Sequence, residues 1–278
     1  MPILTRLSLP WLSALRTWRL FSGGGGVRIL LFHDTPRDGF EDFGRFVKYV
    51  KQTHGILSPQ EAAARLAGGG EENSKERTPC LFTFDDGFAS NFELASEVLA
   101  SHGVTALFFV CPGLIGLGAD EQSRLIAANI FDGRRQAAGK RLMSWDEIAE
   151  LKSGGHVIGA HGMNHLRLTK LSGEALGREI LDSGVQLEDR LGDNIDWYAY
   201  AFGDIDSISV DALKIISQKF RFCRSGVRGV NFPTTDLHAL RADHVEMTAP
   251  AAYRKLIVEG GLQFRYAGAR RRLDEMVS

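Results

Sequence analysis

Short apolar runs recur along this chain at intervals that leave room for a helix between them, and that recurrence limits the fold more than any other feature. The runs are VRILLFH (27–33), CLFTF (80–84), ALFFVC (106–111), HVIGA (156–160), WYAYAF (197–202), FRFCRS (220–225) and a looser ALRADHVEM (239–247). They are continuous rather than alternating, which indicates strands covered on both faces, as parallel strands under helices are. The intervening stretches carry helix punctuation. Ser58-Pro59-Gln60-Glu61 and Ser144-Trp145-Asp146-Glu147 read as capping boxes, the first with proline in its opening turn. His54-Gly55 and His102-Gly103 put glycine where a left-handed residue closes a helix. Parallel βα units follow, in a (β/α) barrel or a doubly wound sheet, and 278 residues with 44% hydrophobic content suit one large domain.

Charge and cysteine content narrow the classes of function. With 33 basic and 34 acidic residues there is no broad electrostatic footprint for nucleic acid, which is not an expected partner. Cys80, Cys111 and Cys223 are odd in number and lie among apolar neighbours, which suits small buried side chains rather than a disulfide framework. A reducing, cytoplasmic location is the matching expectation.

Residues 1–26, MPILTRLSLPWLSALRTWRLFSGGGG, stand apart from the domain expected over 27–278. Arg6, Arg16 and Arg19 make the segment basic, and no acid precedes Asp34. Arg6, Pro10 and Arg16 interrupt its apolar stretch, so it matches neither a signal peptide nor a bilayer span. Two readings stand: an interfacial helix making peripheral membrane contact, and a docking helix under the fold. Gly23 to Gly26 read as a flexible joint.

In barrels and doubly wound sheets chemistry collects at the carboxyl ends of the strands. His33 ends the first run, Asp85-Asp86-Gly87 follows the second, His161 follows the fourth, and Phe202-Gly203-Asp204 closes the fifth. In IGAHGMNH, His161 and His165 are four apart, and one helical turn would bring both imidazoles to a single ion. Asp86 completes an Asp-His-His set that leaves a coordination position for water. Zinc suits these donors best, and manganese, cobalt or nickel are acceptable to them. Adjacent carboxylates repel each other unless a cation takes one, which leaves Asp85 as general base toward a water polarised by that ion. The plainer reading of the acidic pair is a solvated turn. His33 reads either as lining the site or as a core histidine.

In FTFDDGF, TALFFVCPGLIG, SWDEIAELKSGGHVIGAHGMNHLRLTKLS and WYAYAFGD, from about Val27 to about Val245, the chain resembles the polysaccharide deacetylases of the NodB homology type. The resemblance implies a distorted (β/α) barrel of about seven parallel strands with a divalent metal on Asp86, His161 and His165 and with Asp85 as base. It implies hydrolysis of an N-acetyl group on a sugar or polysaccharide, releasing acetate. It also implies that the backbone N–H of Phe202 serves the oxyanion and that a late-strand histidine is the general acid. His238 and His244 are the candidates, and His244, further toward the rim, is preferred. Four positions depart from the family pattern: Ala201 and Leu166 stand where relatives carry proline, Ala199 where they carry arginine, and Gly162 where they carry a hydroxyl residue. Arg241 is expected to replace the missing arginine by pairing with Asp85. Two other readings remain open, a deacylase or deformylase of a lipid-linked sugar and a catalytically silent carbohydrate-binding relative.

Overall fold

The computed structural model describes residues 26–68, 77–137 and 139–278, so the basic N-terminal segment, apart from Gly26, lies outside the described residues. Seven strands form where the apolar runs stand: β1 (Arg28–Phe32), β2 (Cys80–Phe84), β3 (Leu107–Val110), β4 (Val157–Ala160), β5 (Trp197–Ala199), β6 (Phe222–Arg224) and β7 (Ala242–His244). They pair in parallel in the order β6-β5-β4-β3-β2-β1-β7. The two outer strands approach each other through Leu240, just ahead of β7. Its N–H donates to the Cys223 carbonyl at 3.0 Å, and its carbonyl accepts from the Ser225 N–H at 2.7 Å. The sheet therefore rolls into the nearly closed, distorted barrel that the sequence leads one to expect. The last strand is shorter than the run 239–247 because Leu237 and Leu240 bond to β6, leaving Ala242–His244 to pair with β1.

Side-chain alternation sorts the strand residues into two apolar groups. Ile29, Leu31, Leu81, Leu107, Phe109, Trp197, Phe222 and Ala242 belong to the group that fills the barrel. Leu30, Phe32, Phe82, Phe84, Phe108 and Tyr198 face the helical layer, where Phe43 and Phe46 of helix Phe40–Thr53 pack on them. Their rings meet edge-on or stacked at centroid separations from 4.9 Å for Phe84 and Phe108 to 6.3 Å for Phe43 and Phe46. Carried past the strand ends, the inward parity sends His33, Asp85, His161, Arg224 and His244 toward the lumen.

Helix punctuation behaves as its chemistry dictates. Ser58 with Glu61 and Ser144 with Glu147 make reciprocal capping boxes. Gly55 and Gly103 take φ of 80° and 62° at the helix ends. The three cysteines are free and buried. Among the described residues no helix is long and apolar enough to cross a membrane.

Candidate active site

Strand β2 ends in an abrupt reversal at the mouth of the barrel. Asp86 and Gly87 both take left-handed backbone, with φ of 72° and 75°. The reversal points consecutive carboxylates to different places, so Asp85 keeps the inward parity of the strand while Asp86 swings toward the loop after β4. Four non-glycine residues among those described have positive φ, and three of them, Asp86, His165 and Phe202, lie at this mouth. Each such conformation costs on the order of 1–3 kcal/mol and persists only where the surroundings hold it.

Asp86, His161 and His165 converge. The Asp86 Oδ1 atom lies 3.5 Å from His161 Nε2 and 3.3 Å from His165 Nε2, and all three groups are buried. His161 and His165 do not sit on a helical turn, contrary to the expectation from their spacing. Gly162 at φ 78° and His165 at φ 59° fold the segment into a loop instead. Glu179 braces that loop: its carboxylate accepts from the Asn164 N–H and from the Leu166 N–H at 3.0 Å. Burial raises the Glu179 carboxyl above its usual range, against the pull of those N–H groups. A Cβ on Gly162 would lie 2.5 Å from Glu179 Oε1, so the brace and any side chain at 162 compete for one space.

Each imidazole is also aimed from behind. His161 Nδ1 meets the Ala199 carbonyl at 2.7 Å, and His165 Nδ1 meets the Asn129 carbonyl at 2.9 Å. A carbonyl can only accept, so Nδ1 carries a proton in both rings and Nε2 is the atom turned toward Asp86, a donor to the carboxylate when protonated and a lone pair for a cation when not. Two lone pairs and a carboxylate whose donor atoms lie within 4.8 Å of one another form a donor set that fits a borderline divalent cation. Burial would raise the Asp86 carboxyl, but hydrogen bonds from His161 and His165 outweigh it and hold the group well below the usual carboxylate range. Burial likewise lowers His165, and Asp86 more than offsets this, so the ring titrates above its ordinary value.

Asp85 stands beside this set, its Oδ2 atom 3.8 Å from His161 Nε2, and its Oδ1 atom is bound by Arg224. Here the expectation fails for Arg241, whose guanidinium grips Asp274 in two contacts of 2.6 and 2.8 Å on the outside of the barrel. Arg241 lies between Leu240 and Ala242, which face inward, so its side chain must leave on the other side. Arg224 has the inward parity of Phe222 and spans the lumen, its guanidinium 4.8 Å from the centre of the Phe109 ring. Register gives the same answer, because Arg224 is the cross-strand partner of Ala199. Sequence reasoning passed over Arg224, Glu179 and Asn129. A charged residue at inward parity in FRFCRS is the signal that could have found the first of them, since full burial demands an acidic partner.

Of the remaining candidates, Phe202 and His244 lie around the same mouth. The Phe202 ring packs 4.9 Å from His165 and lies beneath Arg167, whose guanidinium is 4.2 Å from the ring centre. No described residue accepts a hydrogen bond from the Phe202 N–H. His244 at the end of β7 meets His33 at the end of β1, with Nε2 and Nδ1 3.2 Å apart. His238 turns away and bonds the Phe220 carbonyl at 3.0 Å. Phe88, only 2% exposed, packs on Phe131 in a separate apolar cluster.

Comparison with known proteins agrees with this architecture. The structure resembles that of IcaB from Ammonifex degensii, with a TM-score of 0.64 and 22% identity over 87% of this chain and 98% of that one. It also resembles the Streptococcus pyogenes deacetylase PplD, with a TM-score of 0.63 and 19% identity over 84% and 98% of the two chains. At these identities the likeness is one of fold. Among curated proteins, YxkH of Bacillus subtilis (strain 168) is 25% identical over 162 residues, 56% of this chain and 49% of that protein, so the match spans about half of the relative. The family model described as polysaccharide deacetylase matches residues 72–219, more than half of the chain, and the chain belongs to that family.

Proposed function

We propose that this protein is a metal-dependent hydrolase that removes the acetyl group from an N-acetylated sugar or polysaccharide and releases acetate. One observation carries the reading: three buried ligand side chains converge while a fourth acidic group, Asp85, stands beside them, held by a guanidinium. A bound divalent cation at Asp86, His161 and His165 would supply Lewis acidity, bringing the pKa of water down toward about 7. The chain's own groups do the rest. Asp85 takes the proton of the attacking water, its free carboxylate edge directed by the grip of Arg224 on Oδ1. The Phe202 N–H donates to the developing oxyanion, a contact worth about 3–4 kcal/mol in comparable sites. The amide nitrogen leaves as an amine once it receives a proton from the histidine couple at the ends of β1 and β7.

A silent binding relative would have no use for a buried carboxylate–guanidinium pair beside the ligand set, because such pairs are costly to desolvate. The test is acetate release from N-acetylglucosamine oligomers by the purified protein, with and without chelator, alongside Asp85→Asn. Activity that survives complete removal of metal would overturn the reading. Sugar binding without acetate release would favour the silent module instead.

A further inference from the structure

The couple at the barrel mouth is resolved further by the order of the strands. β1 lies between β7 and β2, with Leu31 paired to His244 and Phe32 paired to Phe84. His33 therefore stands level with Asp85, on the strand next to it, while His244 lies one strand further away and two residues deeper. The rings pack edge to face with centroids 4.8 Å apart. His33 is exposed and His244 half-buried, so His33 is the ring that a molecule entering the mouth meets.

The contact between them engages one nitrogen of each ring. His244 Nε2 is occupied by His33 Nδ1 at 3.2 Å, whereas no described residue bonds His33 Nε2. We propose that His33 is the catalytic acid that protonates the leaving amine through Nε2 and that His244 is a positioning residue that accepts the His33 Nδ1 proton. The assignment rests on the deacetylase reading above. It differs from the sequence expectation, in which His244 itself delivers the proton.

Electrostatics around the rings support this division. Burial, followed by His33 and Arg228, lowers the His244 ring to about 4, so at neutral pH it is an uncharged acceptor. Arg228 bonds the His244 carbonyl at 2.8 Å, and Glu246 follows two residues after His244. On the other side stand Asp85 and Asp86 at the end of β2. Asp34, next to His33, is already taken by Lys140 and Ser90. The balance of the step is simple. Water adds OH to the acyl carbon and its proton passes to Asp85; the C–N bond breaks as the Nε2 proton of His33 moves to nitrogen, and solvent carries a proton from Asp85 back to His33.

Two substrates separate this role from a structural one: N-acetylglucosamine oligomers, whose amine must be protonated to leave, and 4-nitrophenyl acetate, whose phenolate leaves unprotonated. With metal content measured on every sample, His33→Gln is expected to lower amide hydrolysis about a hundredfold or more, the range of a lost general acid, and ester hydrolysis less than fivefold, about the limit for an indirect effect. His244→Gln, which keeps an acceptor oxygen, is expected to retain more amide hydrolysis than His244→Leu. In the metal-loaded protein, nitrogen-15 ring spectra are expected to report a protonated Nδ1 on His33 and an unprotonated Nε2 on His244. Equal losses of His33→Gln on both substrates, or an ester-sparing loss confined to the His244 variants, would overturn the assignment. A wild-type protein that retains its metal and cleaves the ester but not the amide would instead sink the deacetylase reading, before any variant is compared.

Discussion

Arg224 stands directly across from Ala199 in the pairing of β5 and β6, and from there its guanidinium reaches Asp85 through the interior of the barrel. Ala199 stands where the family resemblance leads one to expect arginine, and the neighbouring strand supplies the charge at the same height. Neither partner of this ion pair is exposed by more than a few per cent. The two charges are thus removed from water together, and each is tolerable only because of the other.

Removing the arginine is therefore costly in two measurable ways. Arg224→Ala leaves the Asp85 carboxylate buried without a countercharge, and the expected loss of stability is about 3–5 kcal/mol. Denaturant unfolding measures it. Acetate release should fall with it, while metal content per chain stays at one ion, since Arg224 touches none of the three ligands. Arg224→Lys keeps charge but not the planar fork and should fall between the two. Unchanged turnover in Arg224→Ala would mean that Asp85 does not depend on the pair.

Metal removal should alter stability in a pH-dependent way, and its sign follows from the ligand set. His165 titrates above its ordinary 6.5, so in the metal-free protein its pairing with Asp86 stabilises fully below 6.5 and fades as pH rises through the raised value. Asp86 is depressed, so its contribution is present above 3.8 and lost only as pH falls through the lowered value. A cation requires neutral imidazoles and gains as pH rises. The difference in Tm between metal-loaded and chelator-treated protein should therefore widen from about pH 6 to about pH 8. A difference that stays constant or shrinks would contradict the Asp-His-His set.

The barrel was legible in the sequence because its signals are local. Each apolar run is long enough to be a strand, and Ser58 and Ser144 announce their helices through side chains three residues away. Asp85, Asp86, His161 and His165 were legible because reactive groups immediately after strands share one rim. What could not be read was the means of convergence. Spacing suggested a helical turn for His161 and His165, whereas Gly162, His165 and the distant Glu179 build a loop. Arg241 and Arg224 look alike in sequence, and only strand parity separates the lumen from the helical layer. The Leu237–Leu240 stretch bonds to β6, so the short β7 gave too weak a pattern to settle that parity in advance.

Gly162 shows how such a loop limits substitution. Its φ of 78° already disfavours a side chain, and a Cβ would collide with Glu179 Oε1. Gly162→Ser, which supplies the hydroxyl residue that the family resemblance leads one to expect, should therefore destabilise this protein by about 1–3 kcal/mol rather than improve it. The displaced Glu179 would release the Asn164 and Leu166 N–H groups, so His165 should hold metal less tightly. Metal affinity by competition with a chromophoric chelator measures this. Unimpaired affinity in Gly162→Ser would mean that the Glu179 brace is dispensable.

Arg241→Ala provides the contrast to Arg224→Ala, because the two arginines were candidates for one role. Arg241 holds Asp274 on the helix Ala267–Val277 in a two-pronged contact, and Asp274 is 47% exposed. Arg241 itself is 12% exposed, and a pair with one partner this open to solvent contributes about 0.2–1 kcal/mol. The Arg241 N–H also donates to Asn231 Oδ1 at 2.8 Å, a backbone contact that alanine keeps. Arg241→Ala should consequently lose little stability, keep its full metal content and release acetate at the wild-type rate. Arg224→Ala should lose both stability and turnover. If Arg241→Ala instead matched Arg224→Ala in lost activity, the guanidinium that serves Asp85 would have to be sought outside the barrel lumen, and the pairing of Arg224 with Asp85 would be structural alone.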